Sequence, residues 1–179
     1  MSFEMKNVLF IGGIHGVGKG TICQKICNEY KLIHLSASEV LRWEEISTKE
    51  SKMVKDFELS QNRLITNLNQ IIVKTEKYVL DGHYCLLNYD NKPKKIDYDT
   101  FYLLNPFAFI VVVDNVLDIK QRLEKRDKKE YDLELLIQFQ ELEIDYSVEL
   151  SKKLGIPHFI VNSNEINNLI NFLHYENFT

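Results

Sequence analysis

Three cysteines in 179 residues, at 23, 27 and 85, are too few and too irregularly spaced for a disulfide framework or a Cys-x-x-Cys metal site, so a reducing compartment is expected. Cys23 and Cys27 stand four apart in a helical pattern, alternating with Ile22 and Ile26, and read as small apolar residues of a buried face rather than as ligands of a shared metal. Long apolar runs are missing as well. Nothing approaches the roughly 18 residues that span a bilayer, and residues 1–7 show no charged and apolar regions of a signal peptide, so a cytoplasmic protein without membrane contact is expected. Positive charge is in deficit: 22 Lys and Arg face 26 Asp and Glu, and a net charge of -4 disfavours a nucleic-acid partner. The lysines around Pro93 and the run from Lys125 to Lys129 read as solvated surface. No internal repeat or low-complexity tract interrupts the chain.

What is present is a composition of 45% hydrophobic and 27% charged residues, which predicts one compact domain over residues 1–179. Short apolar runs alternate with helical patterns, the mark of an α/β protein with a parallel sheet. Strands are predicted at Val8 to Ile11, Leu32 to Leu35, Tyr78 to Leu80, Phe109 to Val113 and His158 to Val161. Helices are predicted at Lys19 to Tyr30, from Ser36 or Ser38 through Arg42, at Lys52 to Lys74, Val116 to Lys125, Leu133 to Leu154 and Ile166 to His174. Asn88 to Asp99 is expected to be an exposed loop, and Gly155 to end the helix before it by taking the left-handed conformation. In such a sheet ligands bind at the carboxyl ends of the strands, where Gly12, Asp81 and Asp114 fall.

Glycine is scarce and concentrated: five of the seven lie between positions 12 and 20, in one loop joining a strand to a helix. Glycines there let successive backbone N–H groups turn inward as an anion nest, to which the helix adds the positive end of its dipole. Gly13, Gly18 and Lys19 meet the pattern Gly-x-x-x-x-Gly-Lys of a phosphate-binding P-loop, or Walker A motif, in which the lysine reaches the β- and γ-phosphates. Gly20 stands where that motif has Ser or Thr, and Thr21 follows one residue late.

The run Gly13 to Thr21, with Gly and Thr in that order after the lysine, resembles the loop of adenylate kinases and other nucleoside monophosphate kinases; His15 stands where they usually carry proline. Leu35 to Arg42 is similar to their segment Ile-Ser-Thr-Gly-Asp-Leu-Leu-Arg, and Asp81-Gly82 matches the first two residues of Asp-Gly-Phe-Pro-Arg. Cys85 replaces the arginine of that box, and Asp-Gly-His is closer to archaeal-type adenylate kinases and related small bacterial ATP-binding proteins. Arg122 and Arg126, four apart, look like the lid entrance of these enzymes.

The resemblance implies a three-layer P-loop NTPase fold with a five-stranded parallel sheet, helices on both faces, an acceptor-binding helical insertion at about 36–75 and a short lid at about 122–132. ATP and Mg²⁺ are the implied cofactors. Gly13, Gly16, Val17, Gly18, Lys19, Gly20 and Thr21 would cradle the nucleotide, with Asn162 beside its adenine. Thr21 and Asp81 would hold Mg²⁺, partly through water, and Lys19, Asp81, Arg122 and Arg126 would serve phosphoryl transfer. Ser36, Arg42 and His83 would bind the acceptor, expected to be a small molecule and in first place a nucleoside monophosphate. The alternatives are a kinase acting on a hydroxyl, for which Asp81 or Glu39 can act as base, and a nucleotide-gated regulatory ATPase.

Overall fold

The computed structural model describes residues 7–41, 47–48, 51–54, 57–88 and 90–178. Its centre is β1 (Val8–Gly12), all five residues of which are buried, followed by the glycine-rich loop and α1 (Lys19–Tyr30). Then come β2 (Ile33–Ser36), the single turn α2 (Ala37–Val40), a small hairpin of β3 (Ser47–Thr48) and β4 (Ser51–Val54), and α3 (Phe57–Ile71). β5 (Tyr78–Asp81) leads into a second hairpin, β6 (Cys85–Leu87) and β7 (Pro93–Lys95), and into α4 (Tyr98–Leu104). The rest is β8 (Ala108–Val113), α5 (Val116–Asp127), the long α6 (Leu133–Leu154), β9 (His158–Asn162) and α7 (Ile166–Tyr175).

The five predicted strands form one parallel sheet in the order β2-β5-β1-β8-β9, flanked by helices in the three-layer arrangement expected. In register, Ile11 pairs with Asp81 on one side and Ile110 on the other, so β1 and its neighbours end together and the loops after them share one edge. Under that edge Phe10 meets Tyr84, Phe101 and Phe109 edge-on, with ring centroids 5.0, 5.4 and 6.1 Å apart. Such contacts add about 0.5–1.5 kcal/mol per pair to what burial supplies. Gly155, at φ 66°, closes α6 as expected. No helix among the described residues is long and apolar enough to cross a membrane.

Two expectations need correction. The helix expected from Lys52 begins only at Phe57, because Ser51–Val54 pairs with Ser47–Thr48 instead. Serine and threonine compete for backbone hydrogen bonds and the β-branched residues favour a strand, whereas helical apolar spacing starts further on. The loop expected over Asn88 to Asp99 contains β7 and the start of α4. Asn88 makes the hairpin: its side-chain oxygen accepts the N–H groups of Asp90 at 3.0 Å and Lys92 at 2.9 Å, and Asn91 takes φ 56°. The polar composition was visible in the sequence; the turn chemistry it encodes is what brings Pro93–Lys95 back against Cys85–Leu87.

Candidate active site

The loop after β1 rises from the sheet in a conformation only glycine supports. Gly13 has φ 143°, and a Cβ there would lie 2.6 Å from the carbonyl oxygen of Val112; Gly16 has φ 77°, and its Cβ would lie 2.8 Å from the Leu123 side chain. Lys19 opens α1 and folds back over the loop, donating from Nζ to the carbonyls of Gly13 at 2.7 Å and Ile14 at 3.2 Å. Residues 15–21 line a cavity of about 370 Å³ together with Asp81, Arg122 and Arg126. A glycine-rich loop at a helix N-terminus, a lysine and two arginines around one cavity suit the phosphates of a nucleotide.

Asp81 ends β5 beside Lys19. Burial pushes its carboxyl above the usual range and Glu39 adds to this, while Lys19 and His34 act in the opposite sense; His34 Nε2 lies 3.9 Å from Oδ2. Thr21 is exposed on the first turn of α1. Their oxygen atoms are the hard donors that suit Mg²⁺. Cys23, buried in the core, stands with His34 and Asp81 rather than with Cys27, one ligand atom from each lying within 4.8 Å of the others. Burial keeps its thiol protonated well above neutral pH, which disfavours it as a ligand.

Glu143, which sequence reasoning missed, lies on α6 with no exposed surface. Its Oε1 accepts the N–H groups of Tyr84 at 3.1 Å and Cys85 at 3.0 Å, and the Gly13 backbone favours the charged carboxylate. Burial raises its carboxyl to about 7 despite these bonds and the nearby Lys19. His83 Nδ1 approaches Oε1 at 3.6 Å, and the His83 and His15 rings meet with centroids 4.3 Å apart. One carboxylate thus ties the start of the phosphate loop to the turn after β5. The sequence signal was a glutamate at an apolar position of a long helix: Leu136, Phe139, Glu143, Tyr146 and Leu150 share the buried face.

Asp114, at the end of β8, holds Arg122. Its Oδ2 accepts from Arg122 Nη2 at 2.8 Å and from Ser163 Oγ at 2.7 Å, while Arg122 Nε donates to the Gly16 carbonyl at 2.9 Å. Partial burial acts to raise the Asp114 carboxyl, but the bonds from Ser163, Asn115 and Arg122 outweigh it and hold it low. Arg126 turns instead to Asp127, at 2.6 and 2.8 Å, and the Tyr131 hydroxyl donates to the same carboxylate. The connection between α5 and α6, residues 128–132, is tied down at both ends. The Tyr131 N–H donates to Glu124 at 3.1 Å, and Asp132 caps α6 by accepting from Glu134 at 2.9 Å.

A second cavity, of about 360 Å³, opens on the other side of Lys19. Ser36 and His83, expected to bind the acceptor, line it, and Lys19, Asp81 and His15 line both cavities. Its walls are mostly apolar, with Phe10, Leu41, Leu64, Phe101 and Leu104 prominent. Arg42 lies outside the described residues. Asn162 does not line the phosphate cavity; its side chain accepts the Asn164 N–H at 3.1 Å and shapes the turn after β9.

Comparison with known proteins places this geometry in context. A family model described as an AAA domain matches residues 12–136. An adenylate kinase of Prochlorococcus marinus (strain NATL1A) is 28% identical over 162 residues, covering 85% of this chain and 88% of that protein. UMP-CMP kinase 1 of Oryza sativa subsp. japonica is 31% identical over 86 residues, 42% of this chain and 34% of its own length. The crystal structure of a gluconokinase from Sinorhizobium meliloti 1021 superposes with a TM-score of 0.58 at 11% identity, covering 97% of this chain and 99% of that one, a likeness of fold.

Proposed function

Because this chain belongs to the AAA domain family and is an adenylate kinase-like P-loop kinase, we propose that it transfers the γ-phosphate of ATP to a nucleoside monophosphate. The observation that carries this reading is the pair of cavities meeting at Lys19, Asp81 and His15, one wrapped in the glycine loop and the other walled by Phe10, Leu41, Leu64, Phe101 and Leu104. A planar base is at home between such walls, whereas a polyol would leave its hydroxyls facing hydrocarbon, at a cost of roughly 1–3 kcal/mol for each one unsatisfied. The same shape supports residues 36–75 as the acceptor side and 122–132 as a short cover on the ATP side, in a cytoplasmic protein.

In this reading the loop N–H groups and Lys19 hold the ATP phosphates, and Arg122 and Arg126 face them from α5. Thr21 and Asp81 would hold Mg²⁺, partly through water, and the ion when bound neutralises phosphate charge. In-line transfer then depends on alignment and charge neutralisation, and an acceptor that is already a phosphate dianion needs no catalytic base. Ser36 and His83 stand at the acceptor side, and Arg42 takes the acceptor phosphate, a planar guanidinium being suited to bidentate contact.

The test is ADP release with AMP, dAMP, GMP, CMP, UMP and dTMP, and with small alcohols, for wild type and Arg42→Ala side by side. Monophosphates are expected to react and the unphosphorylated nucleosides to be inert. Arg42→Ala is expected to lower kcat/KM for the monophosphate by about 30-fold or more, since losing one partner of a desolvated charge pair costs about 2–5 kcal/mol, while leaving ATP binding in place. If only alcohols react, a hydroxyl kinase with Asp81 or Glu39 as base replaces this reading. If ATP binds and nothing reacts, a regulatory ATPase does.

A further inference from the structure

Two polar residues in the acceptor-side cavity have no part in phosphate chemistry. The remaining polar groups there, Ser36, Lys19, Asp81 and His83 among them, sit on the glycine loop or at the strand ends beside it. Gln61 and Thr100 come instead from α3 and α4, two helices that pack on each other, and are only 8% and 6% exposed. Thr100 Oγ1 donates to Gln61 Oε1 at 2.7 Å, so in this arrangement the amide oxygen is engaged by the hydroxyl. Gln61 Nε2 is buried and has no hydrogen-bond partner among the described residues. Both side chains line the cavity next to Phe10, Leu64 and Phe101.

A buried amide donor left unmet is a standing cost to the fold, and buried polar groups of natural proteins are nearly always satisfied. An oriented donor in an apolar slot is therefore best understood as waiting for an acceptor atom supplied by a ligand. We infer that Gln61, oriented by Thr100, reads the edge of the acceptor's heterocyclic base: Nε2 donates to a carbonyl oxygen or unprotonated ring nitrogen, while the apolar walls take its faces. This rests on the nucleoside monophosphate reading and goes beyond it by naming the residue that distinguishes a base from other apolar groups. Because a carbonyl can only accept, the arrangement favours oxo-bearing edges, as in UMP and GMP, over bases that present an amino group at the same place. Oε1 still has a lone pair beyond the one that Thr100 occupies, so a neighbouring ring N–H can bond to the same amide.

The experiment is steady-state kinetics of wild type, Gln61→Leu and Gln61→Glu with UMP, GMP, CMP and AMP, with ribose 5-phosphate as an acceptor lacking a base. Gln61→Leu is expected to lower kcat/KM for the best nucleotide about 10-fold or more, mainly through KM, because a site built around a hydrogen bond rejects what cannot complete it. The KM for ATP should stay within about twofold, which also shows that the fold is kept. Gln61→Glu replaces the donor by a second acceptor, and is expected to move the preference from UMP and GMP toward CMP and AMP. Should Gln61→Leu fail the ATP control, Gln61→Asn, which keeps the amide but withdraws it by a methylene, takes its place with the same expectation.

If nucleotides react in the wild type and neither substitution changes their KM or their ranking, Gln61 does not read the base, and only this inference falls. An amino-base preference in the wild type, retained by Gln61→Glu, would mean that the amide faces the other way and would overturn the donor assignment. If the wild type uses no monophosphate, or uses ribose 5-phosphate as well as UMP, the functional reading itself fails and the inference goes with it.

Discussion

Lys19→Ala is expected to abolish nearly all phosphoryl transfer, a fall of about 100-fold or more in kcat, while the melting temperature changes little. Lys19 sits between the two cavities, lining both, and is the cation nearest the loop carbonyls: its ammonium group lies 2.7 Å from the Gly13 oxygen. A charge in that place is worth most when negative charge moves from one phosphate to another, so its removal should act on the chemical step more than on assembly of the fold. The loop has other supports besides the two Lys19 bonds. The glycine conformations and the carboxylate of Glu143 beneath Gly13 hold the backbone where it is. Initial rates of ADP formation, paired with a thermal melt, check the expectation. A folded Lys19→Ala protein retaining a third of wild-type activity would remove Lys19, and the P-loop mechanism with it, from the account.

Glu143→Leu is expected to be the most destabilising single change near the site. The carboxylate accepts the backbone N–H groups of Tyr84 and Cys85, and the Gly13 backbone favours its charged form. Each buried N–H left unsatisfied costs about 1–3 kcal/mol, so a loss of about 3 kcal/mol or more is expected, or a fall in Tm of about 10 °C for a chain of this size. A Tm within two degrees of wild type would show that the loop and the turn hold each other without it.

Glu143→Gln separates charge from shape. In the folded protein the carboxyl is raised to about 7 from an ordinary value near 4.5, burial outweighing the N–H groups and Lys19. The folded state therefore binds the proton more tightly than the unfolded chain. Stability from this group is fully present below about pH 4.5 and is lost as pH rises toward 7, a change of about 3 kcal/mol at most. Lys19 faces the same carboxylate and opposes the loss by favouring its charged form. Wild type minus Glu143→Gln, in denaturant unfolding midpoints from pH 4.5 to 7.5, should show that downward slope, and a flat difference would assign the pH dependence elsewhere.

The strands, the glycine loop and the long helices were legible because their signals are local. Val8–Gly12 is continuously apolar, the glycines crowd into one stretch, and Gly155 marks the end of α6. Lys19, Asp81, Ser36 and His83 could be placed at the carboxyl edge of the sheet for the same reason, and they meet there. What the sequence concealed is long-range pairing. Glu143 reaches back 59 residues to Tyr84, and Thr100 reaches 39 to Gln61. Neither partner announces the other, since a lone glutamate or glutamine on a helix is ordinarily solvated surface. The Cys85–Leu87 and Pro93–Lys95 hairpin was hidden because Asn88 organises its turn through side-chain bonds that composition alone does not specify. Arg126 lies one turn beyond Arg122 as expected, and its guanidinium is bonded to the adjacent Asp127.

The tied connection from Lys128 to Asp132 sets how this protein must manage water. The Tyr131 N–H is bonded to Glu124 and Asp132 caps α6, so this connection is held to both helices in this structure. On the proposed reading, an acceptor filling the second cavity would shield the γ-phosphate and dry the space beside Lys19 and Asp81. On the proposed reading, product release is expected to need no large opening motion, and ATP hydrolysis without acceptor, set against transfer in its presence, measures how much of the dehydration the second substrate supplies.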